Sequence, residues 1–280
     1  MANIIGYIGT SHVPAIGGAI ARNLQQDAYW KPFFDGFPRA RQWLDGAQPD
    51  VVVMFYNDHG LNFFLDKMPT FAVGAAPQYF NADEGWGLPN FGSYRGYPEL
   101  SWHIIEQLVQ DEFDPVTCQE MLVDHAFAVP LKLLWHEGTN GIRMVPIAIN
   151  TVQHPLPSAR RCFKLGRSVG KAIASWPENL NVLILGTGGL SHQLDGQRAG
   201  HINKKFDLIC LDKLAQQPEA LTDYSITQLV DLAGTQGVEI LNWIAARGAL
   251  DGQVRELHRN YHIPISNTAA ALLVLENLRH

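Results

Sequence analysis

The sequence has few charged side chains, and acidic ones slightly outnumber basic ones. Asp, Glu, Lys and Arg make up 17% of the 280 residues, against about 25% in an ordinary soluble domain. The formal net charge is −6, whereas a nucleic-acid-binding surface is normally basic. This composition argues against a nucleic-acid partner and indicates a surface that is either small or partly covered.

Cysteine is also scarce, and long apolar runs are absent. Cys118, Cys162 and Cys210 are far apart and odd in number, so they predict neither a disulfide framework nor a zinc ribbon. We therefore expect a reducing, cytoplasmic location. No apolar run reaches the 18 residues of a membrane span, and the first residues lack the basic region of a signal peptide.

The chain is nevertheless rich in material for a core. Hydrophobic residues make up 46% of it, and a chain of this length buries roughly 75% of its unfolded surface. No repeat, linker or low-complexity segment interrupts it. We therefore predict one catalytic domain over residues 1–280.

Short apolar runs predict a buried sheet. Residues 4–8, 51–56, 144–149 and 182–185 are rich in Val and Ile and show no polar alternation, which is typical of parallel strands covered on both faces. Pro146 favours an edge or bulge position for the third run.

Helical patterns separate these runs. Residues 98–109 and 158–176 carry apolar side chains at helical spacing, and residues 267–278 are almost wholly apolar, which predicts a buried C-terminal helix. Strands alternating with helices predict an α/β fold with a central, mostly parallel or mixed sheet flanked by helices. Residues 57–97 are rich in Gly, Pro and aromatics, and a loop this long favours a lid or an interface.

Histidines follow three of the four predicted strands. His12, His59 and His192 each lie in the turn after an apolar run, and ligands in α/β sheets bind at the carboxyl ends of strands. A single histidine is more often structural than catalytic, but their shared position predicts a common site.

Two such histidines with one carboxylate suit a non-haem Fe(II) that keeps open positions, although the same ligands also bind Zn or Mn. The residues alone leave the carboxylate open. Asp58 adjoins His59, Glu84 lies in the long loop, and Glu239 opens the apolar run 240–246. Glu239 could equally be an ordinary acidic residue that compensates a helix dipole.

Ser266 and Asn267 lie at the start of the predicted C-terminal helix. They suit an N-cap, and a helix N-terminus can also bind an anion such as a substrate carboxylate. Both interpretations are compatible.

Several motifs together resemble the class III extradiol ring-cleaving dioxygenases, and most closely the beta (catalytic) subunits of protocatechuate 4,5-dioxygenases. The resemblance covers nearly the whole chain. The motifs are Ser11-His12-Val13-Pro14-Ala15, Tyr56-Asn57-Asp58-His59, Asp83-Glu84-Gly85-Trp86-Gly87, Asp124-His125, Gly186-Thr187-Gly188-Gly189-Leu190-Ser191-His192-Gln193-Leu194 and Glu239.

The resemblance implies roles for particular residues. It implies that His12, His59 and Glu239 bind non-haem Fe(II), that His192 is the catalytic acid/base, and that His125 is a second catalytic histidine near the substrate hydroxyl.

It also implies that Ser266 and Asn267 contact the carboxylate of an aromatic substrate. The implied reaction is extradiol cleavage of protocatechuate with O2 to 4-carboxy-2-hydroxymuconate semialdehyde. The implied partner is a small alpha subunit that covers the active site, in an α2β2 assembly.

Two other functions compete with this one. The first is extradiol cleavage of another catechol, such as gallate or a methylgallate. The second is a non-catalytic scaffold subunit, which is disfavoured because the implied metal positions are all filled.

Overall fold

The computed structural model describes residues 1–85, 87–139 and 141–278. Its strands are β1 (Asn3–Thr10), β2 (Val51–Tyr56), β3 (Phe71–Gly74), β4 (Gln78–Asn81), β5 (Ser93–Arg95), β6 (Val116–Cys118), β7 (Leu122–Val123), β8 (Arg143–Ile149), β9 (Asn181–Thr187), β10 (Gln253–Ile265) and β11 (Thr268–Leu278).

The α-helices are α1 (Pro14–Ala21), α2 (Lys31–Phe34), α3 (Phe37–Ala47), α4 (Pro98–Gln110), α5 (His125–Leu134), α6 (Ala159–Ser175), α7 (Lys204–Gln216), α8 (Ile226–Ala233) and α9 (Ile240–Gly248). Short 3₁₀ turns cover Pro218–Asp223 and Gly237–Glu239. The predicted helices at 98–109 and 158–176 are confirmed as α4 and α6. None of the described helices is long and apolar enough to cross a membrane.

The predicted α/β fold is confirmed. Within the described residues, eight strands form a mixed sheet in the order β10-β11-β1-β9-β2-β8-β3-β6. The four strands predicted from apolar runs are its parallel centre, because β9 pairs with β1 and β2, and β2 pairs with β8. Their carboxyl ends therefore meet at one edge of the sheet.

Both faces of this sheet are buried, which explains the apolar runs. Along β2, odd-numbered side chains belong to one core cluster and even-numbered ones to the other. Helices α4, α6, α7 and α9 contribute to the first cluster, and α1, α3 and α5 to the second. The result is a sheet between two helical layers.

The expectation for Pro146 was wrong, because β8 lies inside the sheet between β2 and β3. The pairing of β3 with β8 covers only Ile147 to Ile149. Proline has no amide hydrogen, and it is tolerated here because β3 does not pair with it, although β2 pairs with it on the other side.

The predicted C-terminal helix was also wrong. Residues 268–278 form β11, which pairs antiparallel with β1 on one side and with β10 on the other. A continuous apolar run fits a strand buried on both faces as well as a buried helix, so periodicity alone did not separate the two. Ser266 and Asn267 therefore form the turn of a β-hairpin, with Ser266 at φ 54°, and no helix begins there.

Candidate metal centre

Four predicted residues meet above the carboxyl ends of β1, β2 and β9. His12, His59 and His192 follow these neighbouring strands, and Glu239 comes from the 3₁₀ turn before α9. The Glu239 carboxylate lies 3.4 Å from His12 Nε2, 3.5 Å from His59 Nε2 and 3.9 Å from His192 Nε2. The structure thus brings one carboxylate to the centre of three imidazoles.

His125 completes the group from the first position of α5. Its ring stacks on that of His59 with centroids 4.3 Å apart, and lies 5.5 Å from that of His12. One coordinating atom from each of His12, His59 and His125 lies within 4.8 Å of the other two. One cluster therefore contains five residues, which are His12, His59, His125, His192 and Glu239.

His12 is held with one nitrogen aimed at this cluster. Its Nδ1 lies 3.1 Å from Thr187 Oγ1, and that hydroxyl donates to the Ala126 carbonyl. Because the Thr187 proton is used there, the hydroxyl accepts from Nδ1–H, and Nε2 has no proton. Burial lowers the pKa of His12, although Glu239 opposes this, and this favours the neutral ring. Nε2 is buried and has no hydrogen-bond partner.

His59 is oriented by a carboxylate on the other side of the ring. Asp124 accepts both the His59 backbone N–H and Nδ1–H, each at 2.9 Å. Burial lowers the pKa of His59, but Asp124 and Glu239 outweigh it and raise the pKa to about 10. Burial raises the pKa of Asp124, whereas His59 lowers it to about 2. Nε2 of His59 therefore faces Glu239 while Nδ1 stays fixed.

Glu239 is held as a buried anion. Burial raises its pKa, but His12 and His59 hold it well below its usual range. The Gly189 N–H donates to Oε2 at 2.6 Å. Gly188 allows this approach, because at φ 152° a Cβ there would lie 2.8 Å from Glu239 Cβ. The glycines after β9 thus bring the backbone close to a carboxylate.

A pair of amides supports the same carboxylate. Asn242 Nδ2 donates to Asn57 Oδ1 and to the Thr187 carbonyl, both at 2.9 Å. This orients Asn57 so that its Nδ2 donates to Glu239 Oε1 at 3.3 Å. Nδ2 of Asn57 also lies 3.0 Å from His59 Nε2.

Sequence reasoning named Glu84 and Asp124 in its motifs but did not predict that they bond the histidine rings. Glu84 is not at the centre of the cluster; it accepts His125 N–H at 2.7 Å and lies 2.6 Å from His125 Nδ1. Asp124 is the N-cap of α5, since its side chain accepts from Ala126 N, and it also bonds His59. The local signal was an acidic residue directly before a helix, but its contact with His59 spans 65 residues.

The other candidate carboxylate, Asp58, points away from the cluster into the following loop. It accepts backbone N–H groups of residues 60–63. Its role is to order the chain after His59.

Ser266 and Asn267 lie next to the cluster without belonging to it. Thr268, the next residue, pairs with His192, and Ser266 N–H donates to Tyr29 Oη at 3.1 Å. Both turn residues are exposed. The helix-terminus argument for anion binding does not apply, because no helix begins at this turn.

The donor set fits a divalent metal ion. Imidazole and carboxylate together suit Fe, Zn or Mn, and partners that fix the second nitrogen of each ring are typical of metal-binding histidines. The buried His12 Nε2 without a partner points to the same conclusion, because buried polar atoms are nearly always paired.

Comparison with known proteins points to one family. Residues 6–271 match the family model described as the catalytic LigB subunit of aromatic ring-opening dioxygenase. A gallate dioxygenase from Pseudomonas putida is 39% identical over 197 residues, covering 70% of this chain and 58% of the relative. A 2,3-dihydroxyphenylpropionate/2,3-dihydroxicinnamic acid 1,2-dioxygenase from Photorhabdus laumondii is 33% identical over 188 residues, covering 67% of this chain and 56% of the relative.

The chain thus spans little more than half the length of these two relatives. A 2,3-dihydroxyphenylpropionate/2,3-dihydroxicinnamic acid 1,2-dioxygenase from Rhodococcus is 27% identical, with 88% of this chain and 89% of the relative covered. Among solved structures, an uncharacterized protein from Escherichia coli K12 matches with a TM-score of 0.58 at 14% identity. That match covers 96% of this chain and 99% of the other, and it supports the fold alone.

Proposed function

The chain belongs to the family of catalytic LigB subunits of aromatic ring-opening dioxygenases, and on this premise we propose that it cleaves protocatechuate with O2. The cleavage is extradiol, and the product is 4-carboxy-2-hydroxymuconate semialdehyde. The observation that supports this best is the Glu239 carboxylate, which lies 3.4 to 3.9 Å from Nε2 of His12, His59 and His192.

The proposed cofactor is non-haem Fe(II), held by His12, His59 and Glu239. Two imidazoles and one carboxylate leave open coordination positions, as an oxygen-dependent iron enzyme requires. When bound, Fe(II) supplies the coordination and electron-transfer chemistry that lets a catechol ring react with dioxygen. Thr187 and Asp124 orient the two imidazoles, and Gly189 and Asn57 orient the carboxylate.

His192 is the proposed acid/base. Its Nδ1 lies 2.9 Å from the Leu190 carbonyl, which can only accept, so Nδ1 carries a proton and, in the neutral ring, the lone pair is on Nε2. That nitrogen accepts a proton from a catechol hydroxyl and returns it when the ring opens. His192 is buried, so bulk water does not compete for the proton.

His125 is proposed to bind the second hydroxyl of the substrate. Its contact with Glu84 fixes the Nδ1 side of the ring, and its stacking on His59 keeps it beside the metal ligands. Ser266 and Asn267 are proposed to contact the substrate carboxylate from the exposed hairpin turn beside His192.

Gallate is the second candidate substrate. It is favoured by the 39% identity to a gallate dioxygenase. Gallate carries the same carboxylate and vicinal hydroxyls as protocatechuate plus one more hydroxyl, so the same roles for His192, His125 and Asn267 apply.

A small alpha subunit is the proposed partner, in an α2β2 assembly. Two observations support a covered surface. Only 17% of residues are charged, and Phe64, Leu65, Phe80 and Leu122 are all exposed. Phe80 pairs with Leu122, and Asn62 bonds the backbone of Leu122, so these side chains lie on joined segments. We call these four side chains the apolar patch.

The decisive test of the activity is anaerobic loading with Fe(II), followed by oxygen uptake on protocatechuate, gallate, a methylgallate and unsubstituted catechol. Each assay is run with and without a co-expressed alpha chain. The highest kcat/KM and a yellow product with protocatechuate support the proposal. A higher kcat/KM with gallate supports the second candidate. No uptake by the iron-loaded protein across the panel contradicts ring cleavage.

The metal ligands are tested separately by the iron content of variants. Glu239→Ala is expected to lose bound iron, because the carboxylate at the centre of the cluster is removed. Glu84→Ala is the matched control, since Glu84 bonds His125 and not the proposed ligands, and it is expected to keep iron. Full iron occupancy in Glu239→Ala contradicts the ligand assignment.

A further inference from the structure

His192 differs from the other histidines of the cluster in what holds its ring. The rings of His12, His59 and His125 contact the side chains of distant residues, namely Thr187, Asp124 and Glu84. The Nδ1 partner of His192 is instead the carbonyl of Leu190, two residues earlier in the same loop. The position of this ring therefore depends on where the backbone of residues 190–192 lies.

That backbone is bonded to a buried carboxylate on α7. Asp207 is 1% exposed. Its Oδ1 accepts the Ser191 N–H at 2.8 Å, and its Oδ2 accepts the Ser191 hydroxyl at 2.6 Å. Both bonds go to the residue directly before His192, so a shift of Ser191 shifts the histidine peptide.

Further contacts tie Asp207 and Ser191 to other elements. Tyr261 on β10 donates its hydroxyl to Asp207 Oδ2 at 2.8 Å. The Ser191 hydroxyl accepts the Asn203 N–H at 2.7 Å, and the Ser191 backbone carbonyl accepts the Ala269 N–H at 3.1 Å. Ser191 is fully buried. The loop is thus held by the helix on one side and by the C-terminal hairpin on the other.

A buried carboxylate is a costly anchor unless it is well paired. Burial raises the pKa of Asp207, and the bonds from Ser191 and Tyr261 offset only part of that rise. Hydrogen bonds to an ionised acceptor are roughly twice as strong as neutral ones. Three such bonds give the loop a firmer attachment than backbone contacts alone.

We propose that Asp207, together with Ser191 and Tyr261, is a positioning device for His192 and acts on the reaction only through that imidazole. This rests on the acid/base role proposed for His192. A small displacement of a proton-transfer group is enough to matter, since a misplacement of about 1 Å can cost about 100-fold in rate.

The test compares Asp207→Asn, Ser191→Ala and Tyr261→Phe with wild type, all loaded with Fe(II). Asp207→Asn keeps the shape but replaces one acceptor oxygen with a donor. We expect it to lower kcat by about 10-fold to 100-fold, while KM and iron content change less than about twofold. Ser191→Ala and Tyr261→Phe each remove one hydroxyl and are expected to have smaller effects of the same kind. A proportional loss of iron content and substrate binding in all three variants overturns the proposal, because it indicates general damage to the fold.

A double-variant cycle separates positioning from other effects. If Asp207 acts through His192, Asp207→Asn causes no further loss of kcat in a His192→Ala background. A further loss there overturns the proposal. If His192→Ala alone keeps wild-type kcat, the proposed acid/base role fails, and the positioning role fails with it.

Amide hydrogen exchange gives a readout that needs no turnover. Asp207→Asn is expected to speed exchange of residues 190–194 by about tenfold, with β2 unchanged. The matched control is Asp50→Asn, because Asp50 accepts the N–H of Asn181, the first residue of β9, at the opposite end of this strand from His192. If wild type opens no ring, the exchange still tests the structural part of the proposal: unchanged exchange at 190–194 contradicts the anchoring of this loop by Asp207, and faster exchange confined there supports that anchoring.

Discussion

At the scale of single residues, the site depends on matched pairs of side chains. Each imidazole has one nitrogen bonded to a fixed acceptor and the other turned towards the cluster, as with Thr187 behind His12 and Asp124 behind His59. Such partners set the tautomer and the angle of a ligand, and their loss typically costs 10–100-fold in metal affinity or activity. The two rings are therefore oriented by side chains of the protein itself.

The first prediction at this scale concerns proton transfer. His192→Ala is expected to keep iron and substrate binding but to lower kcat by about 100-fold to 10,000-fold, the usual contribution of a general acid/base. Steady-state oxygen uptake on protocatechuate, with iron analysis of the same sample, measures both quantities. Near wild-type turnover would refute the acid/base role.

The second prediction concerns pH and metal binding. In the metal-free protein the pKa of His59 is raised to about 10, so at neutral pH this ring carries a proton that metal binding must displace. Metal affinity is expected to rise by up to about tenfold per pH unit between pH 6 and 8. Anaerobic Fe(II) titration, or Zn(II) as a redox-inert probe, measures the slope.

Asp124→Asn gives the matched comparison for this slope. Removing the carboxylate lowers the pKa of His59, because Asp124 supplies the hydrogen bond and charge that raise it. The pH slope is then expected to become shallower. An affinity in the wild type that does not vary over this range would contradict the proton displacement.

At the scale of elements, the position of Glu239 depends on how α9 packs. Helix α9 begins directly after this residue and lies against α6. A Cβ at Gly166 on α6 would overlap the carbonyl oxygen of Ala245 on α9. Glycine here allows the two helices to approach closely, and this contact sets the distance between α9 and α6.

The third prediction follows from that contact. Gly166→Ala is expected to lower the free energy of unfolding by about 1–3 kcal/mol, as overpacking does, and to weaken iron binding by displacing Glu239. Gly46→Ala on α3 is the control, because nothing lies within 4 Å of a Cβ there. Urea denaturation of both variants makes the comparison, and equal stability of the two would argue against the tight α6–α9 contact.

Elements also show where sequence patterns stop being informative. The strands 51–56 and 182–185 and the helices α4 and α6 follow from local composition and periodicity. The segment 268–278 does not, because its run of apolar residues fits either a helix or a strand. Its strand conformation depends on pairing with β1 and β10.

At the scale of the whole molecule, the low content of charged residues and the exposed apolar side chains both favour a surface that is covered by another chain. The apolar patch has side chains between 43% and 76% exposed. Exposed apolar groups that lie together mark interaction sites more often than isolated ones do. The prediction that another chain covers part of this surface remains a prediction.

The fourth prediction tests that cover. Leu65→Glu combined with Phe80→Glu is expected to weaken association with a co-expressed alpha chain at least tenfold, since an introduced charge would have to be buried. Sedimentation velocity measures the association. Val109→Glu is the control, because Val109 is also exposed but lies on α4. Unchanged association in the double variant would exclude the patch from the interface.

The sequence by itself determined the buried parallel strands and placed His12, His59 and His192 at their carboxyl ends, because strand composition and chain order are local properties. The resemblance already implied Glu239 as the carboxylate, but its position among the three imidazoles, with Asp58 and Glu84 outside them, was decided only by tertiary structure. So were the partners Thr187, Asp124 and Asp207, and the strand conformation of residues 268–278. The physical reason is that these contacts join residues far apart in the chain, such as Asn57 and Glu239 at a separation of 182 positions, and only folding brings them together.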